Sequence, residues 1–285
     1  MRLFYFMLLA FALVVACKKE DSNTTTVIKS IVVKDSLGNV LNRYAFNFSS
    51  GQLQSIQRNN QDWVSLSYHL DTIFVQTNSS FDGFDVNFYF IKQGNYLKSV
   101  NAVYQKDTLI NGIWIDSVRT EEKINFVYDN NNLVDSINGN GVGALFQSNN
   151  KAYDFTYNNN NLTKYMYCYY SMIFVTTYCN GTMNNTYFLN NAYDDVFIPC
   201  QNFLQSDLFF QYPMEYNDDI SLSYIAQLCG LTVGYKNKDL IKQKESYFQY
   251  SYERNNEGKV NKVTAKKYNN FTYVFDVDKI YELSY

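Results

Sequence analysis

Aromatic and polar residues alternate along much of this chain, and runs of Asn, Asp, Ser and Gly interrupt the alternation. One unit recurs: two aromatics a residue apart, a polar stretch, then two apolar residues about three apart. Clear copies are Phe46, Phe48, Leu53, Ile56; Phe126, Tyr128, Leu133, Ile137; Phe155, Tyr157, Leu162, Tyr165; and Tyr273, Phe275, Ile280, Leu283. In these four the second aromatic precedes the aliphatic by five residues (48 to 53, 128 to 133, 157 to 162, 275 to 280). Tyr250, Tyr252, Val260, Val263 form a copy with a longer turn, and Phe88, Phe90, Leu97, Val100 a looser one. A period of two puts both rings on one face of a strand. Asn, Asp and Gly tolerate positive φ and reverse the chain. Each unit therefore predicts a β-hairpin, marginal alone but stable once stacked on its neighbours. The expected fold is mainly β: a large antiparallel meander, curled or barrel-like.

The unit fades between residues 165 and 244. Both prolines, Pro199 and Pro213, lie there. Leu222, Ile225 and Leu228 recur at helical spacing, Asp218 or Asp219 can cap the start, and Gly230 can end the turn. This stretch reads as an insertion with one short helix. It is also the expected functional lobe, because binding residues concentrate in elaborations on a rigid scaffold.

The N-terminus follows a different pattern. Arg2 precedes an apolar run, Leu3–Val15, too short at 13 residues to span a bilayer. Val14-Val15-Ala16 then leads into Cys17. The order resembles a signal peptide ending in a bacterial lipobox; a plain cleaved signal peptide is the alternative. On the lipoprotein reading residues 1–16 are removed, Cys17 takes the lipid, and residues 17–26 form a tether to a domain over 27–285. Two or more acyl chains anchor a protein stably, so the membrane becomes a partner through the lipid. Cys17-Lys18-Lys19-Glu20-Asp21-Ser22 also resembles the export signal of Bacteroidetes surface lipoproteins. Lys19, Glu20 and Asp21 are then the residues read, and the implied location is the outer membrane, facing outward. A solvated tether is the ordinary alternative.

Tyr-Asp-Asn-Asn-Asn-Leu at 128–133 and Tyr-Asn-Asn-Asn-Asn-Leu at 157–162 resemble the tyrosine–aspartate, or Rhs-type, repeat. They are still more similar to uncharacterised Bacteroidetes lipoproteins built from such hairpins. The resemblance covers about 27–174 and 247–285, and most copies lack the Rhs turn glycine. It implies a large porin-like or barrel-like meander and no catalytic residues. A membrane-spanning barrel also alternates, but a lipid anchor is redundant for a chain already in the bilayer. The expectation is therefore a soluble barrel or curled sheet with an aromatic interior.

Composition narrows the chemistry. Aromatics make up 18% of the chain, with 27 Tyr and 22 Phe, and two prolines leave no Pro-rich linker to divide domains. The formal charge is −3, and no basic stripe points to nucleic acid. Beyond Cys17, Cys168, Cys179, Cys200 and Cys229 form an even set for an oxidising compartment. Four cysteines allow three pairings; Cys168 with Cys179 and Cys200 with Cys229 are the nearest in sequence. A zinc site is disfavoured, because no CxxC occurs and His69 is the only histidine.

His69 alternates with apolar neighbours, which suits a strand surface better than catalysis. Glu121-Glu122, Asp194-Asp195 and Asp218-Asp219 are adjacent pairs, and strand neighbours point to opposite faces. Asp129-Asn130-Asn131-Asn132 offers oxygens but no downstream bidentate Glu, so a plain turn is favoured over calcium. Asp35-Ser36-Leu37, Asp71-Thr72-Ile73, Asp107-Thr108-Leu109, Asp116-Ser117-Val118 and Asp135-Ser136-Ile137 resemble a Bacteroidetes O-glycosylation sequon; strand entries look the same. No catalytic residue, metal or cofactor is assigned. The expected function is a non-enzymatic binding or structural module with a glycan or protein ligand. A glycan-binding accessory protein of polysaccharide uptake and a hydrolase built on the insertion are the alternatives.

Overall fold

The computed structural model describes residues 27–81, 84–130, 134–140, 151–158, 161–171, 176–192, 220, 222–231, 239–244, 248–269 and 271–285. The fold is nearly all sheet. Among the described residues sixteen antiparallel strands follow in chain order: β1 (Ser30–Lys34), β2 (Val40–Ser49), β3 (Gln52–Arg58), β4 (Gln61–His69), β5 (Thr72–Phe81), β6 (Phe84–Gln93), β7 (Tyr96–Ile110) and β8 (Ile113–Tyr128). Then come β9 (Val134–Asn140), β10 (Lys151–Asn158), β11 (Asn161–Ser171), β12 (Thr176–Ala192), β13 (Asp239–Lys244), β14 (Phe248–Arg254), β15 (Val260–Asn269) and β16 (Val274–Ser284). Each strand pairs with the next, and β16 returns to β1 to close the barrel. The β1–β16 seam holds five register pairs, from Ser30↔Ser284 to Lys34↔Ile280. Lys34 Nζ lies 2.6 Å from Glu282 Oε1 across it. Among the described residues the joints β9–β10 and β13–β14 have two register pairs each.

The predicted hairpins fall into register as their side-chain pattern requires. Phe48 faces Leu53 and Phe46 faces Ile56; Phe90 faces Val100; Phe126 faces Ile137; Tyr157 faces Leu162; Tyr252 faces Val263. Asn59-Asn60, at φ 52° and 65°, and Asn111-Gly112, at 51° and 79°, turn the chain with the positive φ of type I′ hairpin loops. The unit at Tyr273–Leu283 behaves differently. Its last three members lie on the single strand β16. Asp-Val-Asp supplies no reversing turn there, and the ladder shifts by one residue opposite Ala265/Lys266 instead.

The alternation sets a dry interior. Ile31, Val33, Leu53, Ile56, Val64, Val75, Phe88, Phe90, Val100, Ala102, Ile124 and Val263 are fully buried. Between them lie residues such as Arg43, Ser55, Ser65, Gln76, Glu121 and Lys123, which point outward. Lys262 and Glu253 pair on this outer face at 2.7 Å, and the carboxylate raises the lysine pKa, chiefly through the hydrogen bond.

The meander extends further than the repeat does. β11, β12 and β13 are full members of the barrel, so the departure from it narrows from 165–244 to 193–238. Tyr165, Tyr167 and Tyr169 keep the two-residue aromatic spacing although the turn chemistry has gone. Within this stretch helix α1 (Leu222–Leu228) sits in the barrel core, with Leu222, Tyr224, Ile225 and Ala226 fully buried. Tyr224 meets Phe46 edge-on at 6.2 Å. The helix ends in a Schellman motif: Leu231 N–H donates to Ala226 O at 3.0 Å and Gly230 N–H to Gln227 O at 2.8 Å, with Gly230 at φ 79°. The proposed caps Asp218 and Asp219 lie outside the described residues.

Candidate functional site

Strand direction divides the barrel into two ends. Val27 enters at the end that also carries the 50–51, 70–71 and 94–95 turns, the end of β12, the start of β13 and the C-terminus. This is the entry end, and α1 packs into the core there. A hydrogen-bond pattern tightens it. Tyr68 Oη donates to Leu53 O at 2.7 Å, Tyr128 Oη to Leu97 O at 2.7 Å, and Tyr285 Oη to Val260 O at 2.6 Å. Each tyrosine thus bonds the first apolar residue of the hairpin before it in the barrel, or of the last hairpin in the case of Tyr285. The conserved spacing inside one unit gives no sign of this bond, which joins two units.

The opposite end is a rim of uneven height. Among the described residues the β7–β8 hairpin projects past β6 and the β15–β16 hairpin past β1. Nine large apolar residues are exposed among the described residues, and seven are at this rim: Leu37, Val40, Leu41, Ile113, Phe271, Tyr273 and Val274. Phe271 is 95% exposed and Leu37 85%. The β1–β2 turn is closed by its own side chains. The Asp35 carboxylate accepts from Leu37 N–H at 2.9 Å and from Asn39 N–H and Nδ2 at 2.8 Å each. The Asn39 side-chain bond, first among these, holds the Asp35 pKa below its usual value. Inside the rim, Arg58 Nε donates to Asn42 Oδ1 at 3.1 Å and its guanidinium lies 5.9 Å from the Trp63 ring centre. Trp63 is the extra residue of a β3–β4 bulge, which turns it inward beside Val64.

The residues singled out from sequence are dispersed. Cys17, Lys19, Glu20, Asp21 and Cys200 lie outside the described residues, as do Asp194, Asp195, Asp218 and Asp219. Cys168 and Cys179 are direct register partners across β11 and β12. Cys229 is a free thiol, so its expected bond to Cys200 is not made. The reason is placement: Cys229 follows α1 into the core and interacts there with the Tyr68 hydroxyl. Burial pushes the thiol up to about 12 and raises the Tyr68 hydroxyl as well. His69 is exposed at the end of β4, and Glu121 is exposed on β8. Asp35-Ser36-Leu37 forms the β1–β2 turn at the rim; Asp107-Thr108 and Asp116-Ser117 lie on the projecting β7–β8 hairpin. Asp71-Thr72 and Asp135-Ser136 are at the entry end.

No protein-family model and no curated protein matches this chain. Solved structures do. A porin-like protein from Bacteroides uniformis ATCC 8492 is similar with a TM-score of 0.53 at 13% identity, over 90% of this chain and 97% of that one. A porin-like protein from Bacteroides vulgatus ATCC 8482 gives 0.51 at 10% identity, over 91% and 98%. At such identities the likeness is one of fold: this chain has the antiparallel meander of those porin-like proteins.

Proposed function

We propose that this protein is an outer-membrane lipoprotein facing the cell exterior, a non-enzymatic binding or structural module held by lipid on Cys17. The observation that carries the reading is the polarity of the barrel. The chain enters at one end, and the exposed apolar residues gather at the other. A tether of Cys17 to Thr26 at the first end directs the second away from the membrane. The outer face supports a barrel standing in water: membrane-spanning barrels carry an apolar band outside and polar groups within, whereas here Arg43, Ser55, Glu121, Lys123, Glu253 and Lys262 point outward over an apolar interior. Cys17→Ala is expected to abolish fatty-acid labelling and release the chain from the membrane fraction. Protease applied to intact cells is expected to remove it. Persistent labelling sinks the anchor, and a chain protected until lysis sinks the outward orientation.

The same compartment supports one cross-strand disulfide. Residues directly opposed in an antiparallel pair have Cα atoms about 4.5–5.5 Å apart, inside the roughly 4.4–6.8 Å that a disulfide spans. Cys168 and Cys179 hold that relation, and their thiols would pass two electrons and two protons to a disulfide-exchange catalyst. Alkylation without reductant followed by peptide mapping is expected to recover the two linked, and Cys168→Ser is expected to cost about 3 kcal/mol. Recovery of both as alkylated thiols refutes the bond.

A further inference from the structure

One line of register partners crosses the outer wall from β2 to β6. Asn47 faces Ser55, Ser55 faces Ser65, Ser65 faces Gln76, and Gln76 faces Asn87. Their chain neighbours Phe46, Ile56, Val64, Val75 and Phe88 are buried inside, so all five point outward. Asn47, Ser65 and Gln76 are exposed, and Ser55 and Asn87 are partly exposed. Four gaps of about 4.8 Å between strands make a row of about 19 Å. Two residues nearer the entry end, on the same wall, Phe74 faces Tyr89. Their ring centres lie 5.1 Å apart at a tilt of 41°, and both rings are partly exposed.

The row carries no charge, and its chemistry is uniform. Every member both donates and accepts hydrogen bonds, whereas a lysine only donates and a carboxylate only accepts. Asn47 Nδ2 already donates to Ser55 Oγ, at 2.9 Å. The charges that border the row are of both signs. Asp62 lies on the rim side, where it accepts from Gln57 Nε2 at 3.0 Å; Glu121 and Lys123 lie beyond β7.

We propose that this wall binds a neutral oligosaccharide, laid across the strands along the row, with a sugar ring stacked on the Phe74–Tyr89 pair. The inference rests on the binding-module reading and names its ligand class and site. Sugar hydroxyls donate and accept alike, so amides and hydroxyls at strand spacing match them along a chain. Aromatic rings add rigid, amphipathic contact area for the C–H face of a sugar. A phosphate-bearing ligand needs cations, which the row lacks. A peptide adding as a strand needs an open edge, and β2 to β6 are each paired on both sides. Protein interfaces centre on large buried anchors, whereas amides and hydroxyls dominate here.

The test uses the full lipidated chain in detergent, titrated calorimetrically with disaccharides and hexasaccharides, neutral and uronic-acid-bearing. At least one neutral hexasaccharide is expected to bind saturably. It should bind at least tenfold more tightly than its disaccharide, which covers only part of the row, and more tightly than its acidic counterpart. Gln76→Ala with Asn87→Ala should weaken that binding at least tenfold, while Ser251→Ala, exposed on β14, leaves it unchanged. Thermal melts report folding; if the double variant does not fold, Ser65→Ala should weaken binding several-fold. No saturable binding of any neutral hexasaccharide, a preference for the acidic ones, or binding unmoved by the row variants overturns the proposal. The anchor and its orientation are decided separately, by the labelling and protease experiments.

Discussion

Tyr224→Ala is expected to destabilise the protein by about 4 kcal/mol, within the range of roughly 3–5 kcal/mol for removing a buried aromatic ring. For a domain of this size that lowers the melting temperature by roughly 8–16 °C. Tyr224 is fully buried and sits edge-on to Phe46. The effect should exceed that of a ring lost from the wall, because α1 has only seven residues. So short a helix has little stability of its own and persists through its packed face. Cys229 provides an independent readout. Its thiol is free and packed against the core beside Tyr68, so it should label slowly in the native protein and much faster in Tyr224→Ala. Tyr224→Phe keeps the ring and should retain most of the stability and the slow labelling. A Tyr224→Ala variant that melts and labels like the parent would show that the helix does not plug the barrel.

Local features of the sequence predict local features of the fold. Tyr128-Asp-Asn-Asn-Asn-Leu133 predicts a hairpin because every determinant lies within ten residues: period-two rings, tolerant turn residues, and a returning aliphatic. Phe48↔Leu53 and Phe90↔Val100 follow from the same reasoning. Leu222, Ile225, Leu228 and Gly230 likewise predict a helix and its end. Misreadings arise where spacing persists without the turn. Phe275 and Ile280 keep the five-residue step, but Asp276-Val277-Asp278 forms a bulged strand. Cys200 and Cys229 are neighbours among the cysteines, yet burial of α1 carries Cys229 toward Tyr68, 161 positions earlier in the chain. The candidate surface was the least legible part. Leu37, Ile113 and Phe271 resemble any turn-flanking apolar residues until strand direction puts them at one end.

Ser30→Cys with Ser284→Cys is expected to give the largest stabilisation. These residues are register partners at the start of β1 and the end of β16, so their Cα atoms fall within disulfide reach. Both substitutions are nearly isosteric, and neither position is in the core. The bond would close a loop containing almost the whole domain, for which chain-entropy reasoning gives about 5 kcal/mol in the absence of strain. Spontaneous oxidation of the native protein, seen as a gel shift reversed by reductant, should accompany a matching rise in denaturation midpoint. A Val33→Cys/Ser284→Cys pair, three residues out of register, should form the bond poorly and gain little. Equal crosslinking of both pairs would point to a frayed seam and an open curled sheet. Efficient crosslinking of the register pair alone would mean that β1 completes the barrel along the Ser30–Lys34 seam.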